Sequence, residues 1–390
     1  MKWPTGILAA LVLMSCGPGS GSVPAHSAST TRTIPAATFG PSPTNASAAR
    51  TLCPAERAAP AFAPSAPSSR NLVLAWMGND MTKVVIRDIT DLRHPATVGV
   101  LPPSGLLRPA FVSATDISYA DQAGLERAPL SGGPVTTVTT CGGAPFAWSP
   151  DGTAAAYVGP TGDPMVQQFH VIRDGRDVVD GTVPGTAGGF GCESRQCGDS
   201  WDTQLLYSPD GAYISLVIQL GPLTAFRIWS ARGDLLKAMD SGASTMSVWS
   251  GDTLYWRDEQ GIRTWRAGSE GLLLPGVSWV RPHASPDGRT IVYETRDAGY
   301  TTAHVWLLDT ATGKARLLKS SRSEPAFLNS HLIWYAGEVS CTPAGSCITP
   351  TTDSGKYYIY DLNDRTETQS VIARVWDVWP HPPDPAPGNK

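Results

Sequence analysis

Phe146-Ala-Trp-Ser-Pro-Asp-Gly152 is followed almost at once by the apolar run Ala154-Ala-Ala-Tyr-Val158. The same four residues return in Leu206-Tyr-Ser-Pro-Asp-Gly211 and in His283-Ala-Ser-Pro-Asp-Gly288. Asp-Gly between two apolar runs is a hairpin signal, because the turn needs positive φ and glycine supplies it without strain. One hairpin recurring at long intervals is one supersecondary unit repeated, which predicts a β-propeller. A β-sandwich array, the other architecture built from such hairpins, leaves the long-range repeat unexplained.

Ser149 and Ser208 are 59 residues apart, and Ser208 and Ser285 are 77 apart. A blade takes about 40–45 residues, so the second interval holds two blades. A degenerate copy lies within it, Val248-Trp-Ser-Gly-Asp-Thr-Leu-Tyr-Trp256. The first interval holds one blade and an insertion, Gly185 to Asp202. Weaker copies flank these at Pro109–Tyr119 and Pro325–Tyr335. Val375-Trp-Asp-Val-Trp379 reads as a first strand with nothing after it, and Asn71–Met77 as a second strand with nothing before it. The economical reading is that the C-terminal strand completes the first blade, which removes an open sheet edge. The expected fold is therefore all-β, a seven-bladed propeller over residues 71–382, with six or eight blades as the alternatives. The expected blades are 375–380 with 72–101, then 109–140, 146–183, 203–241, 246–275, 280–319 and 325–373.

The Ser-Pro-Asp-Gly copies, each with an aromatic or alanine before them, resemble the repeat of TolB-type propellers, also called PD40 or WD40-like β-propeller repeats. The resemblance covers about residues 72–380. It implies the fold and leaves the function open. That family includes periplasmic translocation-associated proteins, the propeller domains of prolyl-oligopeptidase-type peptidases, and envelope proteins without an assigned role. This chain lacks a stretch patterned like the N-terminal α/β domain of TolB. It also lacks the Gly-x-Ser-x-Gly elbow that a propeller peptidase requires.

Residues 1–15 read as an export signal, with Lys2 before the apolar run Ile7–Met14. That run is too short to span a bilayer as a stable helix. Leu13-Met-Ser-Cys16 resembles a bacterial lipobox, with Cys16 as the lipidated residue; an ordinary secretory signal is the alternative. Residues 16–70 read as a flexible tether, since 41 of the 53 residues 17–69 are Gly, Ala, Ser, Thr or Pro. Such composition buries too little apolar surface to fold. Residues 383–390 read as a disordered tail.

Setting Cys16 aside leaves Cys53, Cys141, Cys192, Cys197, Cys341 and Cys347. An even set in an exported chain reads as disulfides. The expected pairs are Cys192–Cys197, Cys341–Cys347 and, by elimination, Cys53–Cys141; fifteen pairings are formally open. Zinc is the rival reading, disfavoured by the long Cys192/Cys197 gap and the lack of an accompanying histidine.

Formal net charge is −4, and no basic tract marks a nucleic-acid footprint. The 13 tryptophans fall mostly in expected strands, where they are expected to pack between adjacent blades. No catalytic, metal or cofactor constellation emerges. The histidines are scattered, with His283 and His381 as expected neighbours around the ring, and Asp151, Asp210 and Asp287 belong to turns. The candidate contact surface is the pair of insertions, above all Glu193, Arg195, Asp199 and Trp201, because long loops on a rigid scaffold carry binding. These readings lead to a non-enzymatic, lipid-anchored envelope protein. Its propeller, expected to be monomeric, binds or scaffolds a protein or glycan partner. The alternative is a propeller-type lyase or glycosidase acting on carbohydrate.

Overall fold

The computed structural model describes residues 56–65, 68, 70–76, 84–101, 107–120, 124–142, 145–161, 163, 166–184, 203–220, 223–241, 246–297, 302–337 and 356–379. Strand β1 (Glu56–Ala58) precedes the ring. β2 (Leu72–Trp76), β3 (Val84–Asp88) and β4 (Ala96–Leu101) open the first blade. The second is β5 (Leu107–Phe111), β6 (Asp116–Ala120), β7 (Leu125–Pro129) and β8 (Thr136–Thr139). The third is β9 (Phe146–Trp148), β10 (Ala155–Pro160), β11 (Val166–Arg173) and β12 (Arg176–Pro184). The fourth is β13 (Thr203–Tyr207), β14 (Tyr213–Leu220), β15 (Leu223–Ser230) and β16 (Leu235–Ser241). The fifth is β17 (Ser247–Ser250), β18 (Thr253–Asp258), β19 (Gly261–Arg266) and β20 (Ser269–Pro275). The sixth is β21 (Val280–Ala284), β22 (Thr290–Arg296), β23 (Ala303–Asp309) and β24 (Ala315–Ser320). The seventh is β25 (Arg322–Phe327), β26 (Leu332–Gly337), β27 (Tyr357–Asp361) and β28 (Thr366–Ser370). β29 (Val375–Trp379) then pairs with β2, Val73 opposite Val378, and closes the first blade.

The molecule is thus the seven-bladed all-β propeller that the repeat predicts, closed by its C-terminal strand. Each blade has one innermost and one outermost strand, and adjacent blades bury apolar faces against each other. The seven clusters of buried apolar side chains are the seven seams between blades. Tryptophans fill these seams as expected. Phe169 of the third blade stacks on Trp229 of the fourth at 3.9 Å, and Phe226 of the fourth stacks on Trp256 of the fifth at 5.2 Å.

The Ser-Pro-Asp-Gly turns share one wiring. Ser149 Oγ donates to Asp151 Oδ1 at 2.6 Å and accepts the Ala154 N–H at 2.9 Å. Ser208 and Ser285 do the same with Asp210 and Tyr213, and with Asp287 and Thr290. The Gly152 N–H closes the turn on the Ser149 carbonyl, with glycine at φ +70°. Positive φ falls on the glycine and not on the aspartate, so Pro150 and Asp151 are the central residues and glycine the fourth. This differs from an Asp-Gly turn with left-handed backbone at both central positions, and it explains the proline, which pre-sets φ at the second position.

The stretch read as a tether ends earlier than residue 70. Residues 56–65 are a strap on the propeller. β1 adds a fifth strand to the third blade, Arg57 opposite Asp177 on β12. The Ala59 N–H then bonds the Gly175 carbonyl at 2.9 Å, and the Ser65 N–H bonds the Asp151 carbonyl at 2.8 Å. Phe62 meets Trp148 edge-on at 5.0 Å, with the Arg127 guanidinium 4.9 Å from its ring. Composition misleads here because β1 needs almost no core of its own: the open edge of β12 supplies its hydrogen bonds.

The topology sorts the connections onto two faces. The Ser-Pro-Asp-Gly turns join innermost to second strands on one face. On the other, innermost strands begin, second strands end and outermost strands end. The strand ends that flank both insertions, Pro184 with Thr203 and Gly337 with the start of β27, lie on this second face.

Candidate functional site

Three innermost strands carry the same irregularity near this second face. Pairing skips from Val280 to His283, from Ser323 to Ala326 and from Leu107 to Ala110. Each bulge holds a charged residue followed by proline: Arg281-Pro282, Glu324-Pro325 and Arg108-Pro109. Proline has no N–H for the ladder, so it settles at bulges. Arg281 and Glu324 adopt φ of +50° and +56°, a left-handed backbone that costs non-glycine residues about 1–2 kcal/mol.

Those bulges bring five charged side chains together at the channel mouth, between the sixth, seventh and first blades. Arg281 Nη1 lies 2.6 Å from Glu324 Oε1 and 3.9 Å from Glu294 Oε2. Arg296 Nη2 is 2.7 Å from Glu294 Oε1, and Arg374 Nη2 is 3.6 Å from Glu324 Oε1. The Glu324 N–H also donates to Glu294 Oε2 at 2.9 Å. Glu294 is 0% exposed, whereas the Arg281, Arg296 and Arg374 side chains are 20%, 13% and 25% exposed. Three guanidinium groups against two carboxylates leave these five side chains with one excess positive charge.

A second polar cluster is sealed beneath the strap. Asp177 and His170 are 1% and 0% exposed, with His170 Nδ1 3.0 Å from Asp177 Oδ1. Arg57 Nε and the Tyr157 hydroxyl donate to Asp177 Oδ2 at 2.7 and 2.6 Å, and Arg57 also contacts Thr139 Oγ1. Burial pushes the Asp177 carboxyl up, but the hydrogen bonds from His170, Tyr157 and Arg57 outweigh it and hold it below the usual carboxylate range. Burial and the neighbouring Asp177 charge push the Tyr157 hydroxyl far above its ordinary value. An Asp–His pair has the makings of a catalytic base, yet full burial leaves no substrate access, so this cluster is a joint between strap and blade. A cavity of about 510 Å³ on the outer side of the third blade, lined by Glu56, Arg173, Asp174, Arg176 and Val178, lies nearby.

The residues singled out in the sequence fall mostly elsewhere. Glu193, Arg195, Asp199, Trp201, Cys16, Cys53, Cys192, Cys197, Cys341, Cys347 and His381 lie outside the described residues. Cys141 follows β8, half-buried, its N–H on Thr139 Oγ1 at 3.1 Å. His283 Nδ1 accepts the Phe327 N–H at 3.3 Å, tying the sixth blade to the seventh. The turn aspartates are structural, as expected. Among the described residues, no three His, Cys, Asp or Glu side chains are grouped to hold a metal ion. The channel-mouth cluster was missed. Its signal was the proline three residues before Val112, Ser285 and Leu328.

No known protein family's sequence profile matches the chain, and no curated protein matches it. Solved propellers do resemble it. TolB from Acinetobacter baumannii is 19% identical, with a TM-score of 0.42, over 79% of this chain and 65% of that one. The β-propeller domain of the Trilobed protease from Pyrococcus furiosus is 11% identical, with a TM-score of 0.47, over 68% of this chain and 82% of that one. Oligogalacturonate lyase from Vibrio parahaemolyticus is 10% identical, with a TM-score of 0.45, over 80% and 85%. These likenesses concern the fold, and they include both TolB proteins and enzymes.

Proposed function

We propose that this chain is a non-enzymatic cell-envelope lipoprotein whose propeller binds or scaffolds a protein or glycan partner. In this reading Cys16 carries the lipid, and the second face of the ring is the binding surface. One observation supports it above others. The channel-mouth carboxylates of Glu294 and Glu324 are both engaged by arginines, on the face where the strand ends flanking both insertions lie. Arginine stays protonated, so these acids are committed to ion pairs rather than free for proton transfer. In-cell crosslinking of the tagged chain tests the reading. One dominant partner, lost on deletion of residues 192–197, is expected; labelling no stronger than background would sink it. Cys16→Ser is expected to release the chain from membranes, and retention would refute the lipid anchor.

The second reading, a propeller-type lyase or glycosidase, draws on the same convergence of two carboxylates. Turnover of an acidic polysaccharide by the purified chain, lost in Glu324→Gln, would replace the first reading.

A further inference from the structure

Resting on the binding-module reading, we infer that the channel mouth is a carboxylate-recognition site and that it takes a peptide carboxylate between Arg281, Arg296 and Arg374. Three observations carry this. The five side chains hold one excess positive charge, which matches a monoanion rather than a phosphate dianion. Asp297, next along from Arg296, is half-buried and has interactions of its own.

Two polar groups there also lack partners among the described residues. Arg296 Nη1 is buried with no acceptor, and Ser323 Oγ, on a residue 0% exposed beside Glu324, has no hydrogen bond. A buried donor left unmade is costly. A ligand oxygen would answer Arg296 Nη1, whose side chain is 13% exposed, whereas Ser323 Oγ lies too deep for a ligand to reach. Arginine forks match carboxylates two bonds at a time. Finally, the bulges take Pro282 and Pro325 out of strand pairing, between Val280 and His283 and between Ser323 and Ala326. Carbonyls turned out of a ladder accept donors. A peptide supplies an N–H at a fixed position beside its carboxylate, as a pairing strand would, whereas a uronic acid supplies only ring hydroxyls.

Calorimetry on the full chain in detergent micelles tests this, with N-acetylglycine as probe, N-acetylglycinamide as neutral control and glucuronate as the sugar acid. N-acetylglycine is expected to bind at least about tenfold tighter than the amide, with Arg374→Gln losing about tenfold or more. Glu324 keeps its pairing with Arg281 at 2.6 Å in this variant, and a thermal melt establishes that it is folded before its affinity is read. Arg296→Lys, which keeps charge but not the fork, is expected to lose affinity as well. Equal uptake of acid and amide, or an Arg374→Gln variant that binds like the parent, would overturn the site. Tighter binding of glucuronate would overturn the peptide assignment. If crosslinking finds a partner while the probes fail, only this site falls; if both fail, the binding-module reading falls too.

Discussion

Asp177→Asn asks whether the strap is held by charge or by its ladder alone. Asp177 takes three donors at 2.6, 2.7 and 3.0 Å while only 1% exposed. Asparagine keeps the shape, but it puts an NH2 group where every neighbour is already a donor, and it strips Arg57 of its counter-charge. Removing one partner of a buried ion pair costs about 3–5 kcal/mol. The Arg57 side chain is 22% exposed and can turn to water, so the lower end applies, about 3 kcal/mol. At roughly 2 °C per kcal/mol for a chain of this size, Tm should fall by about 6 °C. The Ala59 amide, bonded to the Gly175 carbonyl at 2.9 Å, should exchange about tenfold faster, beyond what the global loss explains. The depressed Asp177 carboxyl stabilises the fold fully above its unfolded pKa of about 3.9 and loses that contribution as pH falls below it. The parent should therefore destabilise below about pH 4 more steeply than the variant. A Tm drop under about 2 °C with unchanged Ala59 exchange would refute the reasoning and leave the β1–β12 ladder as the whole attachment.

Two further outcomes follow from the backbone and the closure. A Cβ at Gly124, at φ +141°, would sit 1.9 Å from the Thr139 carbonyl oxygen, whereas one at Gly251, at φ +59°, meets nothing within 4 Å. Gly124→Ala should cost about 3 kcal/mol or more and Gly251→Ala about 1 kcal/mol by urea melts; equal costs would refute the contact argument. Val378, 4% exposed in the seam that closes the ring, should not tolerate aspartate. Val378→Asp should aggregate on size exclusion, while Thr368→Asp on outermost β28 should elute as the parent does.

The blades were legible because each repeated turn is wired locally: Ser149, Asp151 and Gly152 satisfy one another within four residues. Ring closure was legible for a related reason, since Val375–Trp379 and Leu72–Trp76 are two halves of one pattern. The strap was not, because what holds it is remote. Arg57 meets Asp177 120 residues away, and alanines and prolines around it say nothing about an open strand edge elsewhere. The channel mouth was hidden in the same way. Arg281 and Glu324 come from different blades, and only the recurring charged-residue–proline pair points to a shared position.

Asp177 with Arg57, and Glu294 with Arg281 and Arg296, are built from the same chemistry but do different work. Under the strap, both Asp177 oxygens are taken by donors, and His170 and Tyr157 are buried with it. Nothing can arrive there, so the pair can only join two parts of the chain. At the channel mouth, the buried acid is Glu294, and the arginines around it keep part of their surface in solvent. Arg281 stands at the beginning of an innermost strand, on backbone bent out of its ladder, and Arg296 at the end of a second strand. Cation exposure does not separate the two, since the Arg57 side chain is 22% exposed and the Arg281 and Arg296 side chains 20% and 13%. The difference is the guanidinium excess at the channel mouth, where three arginines face two carboxylates.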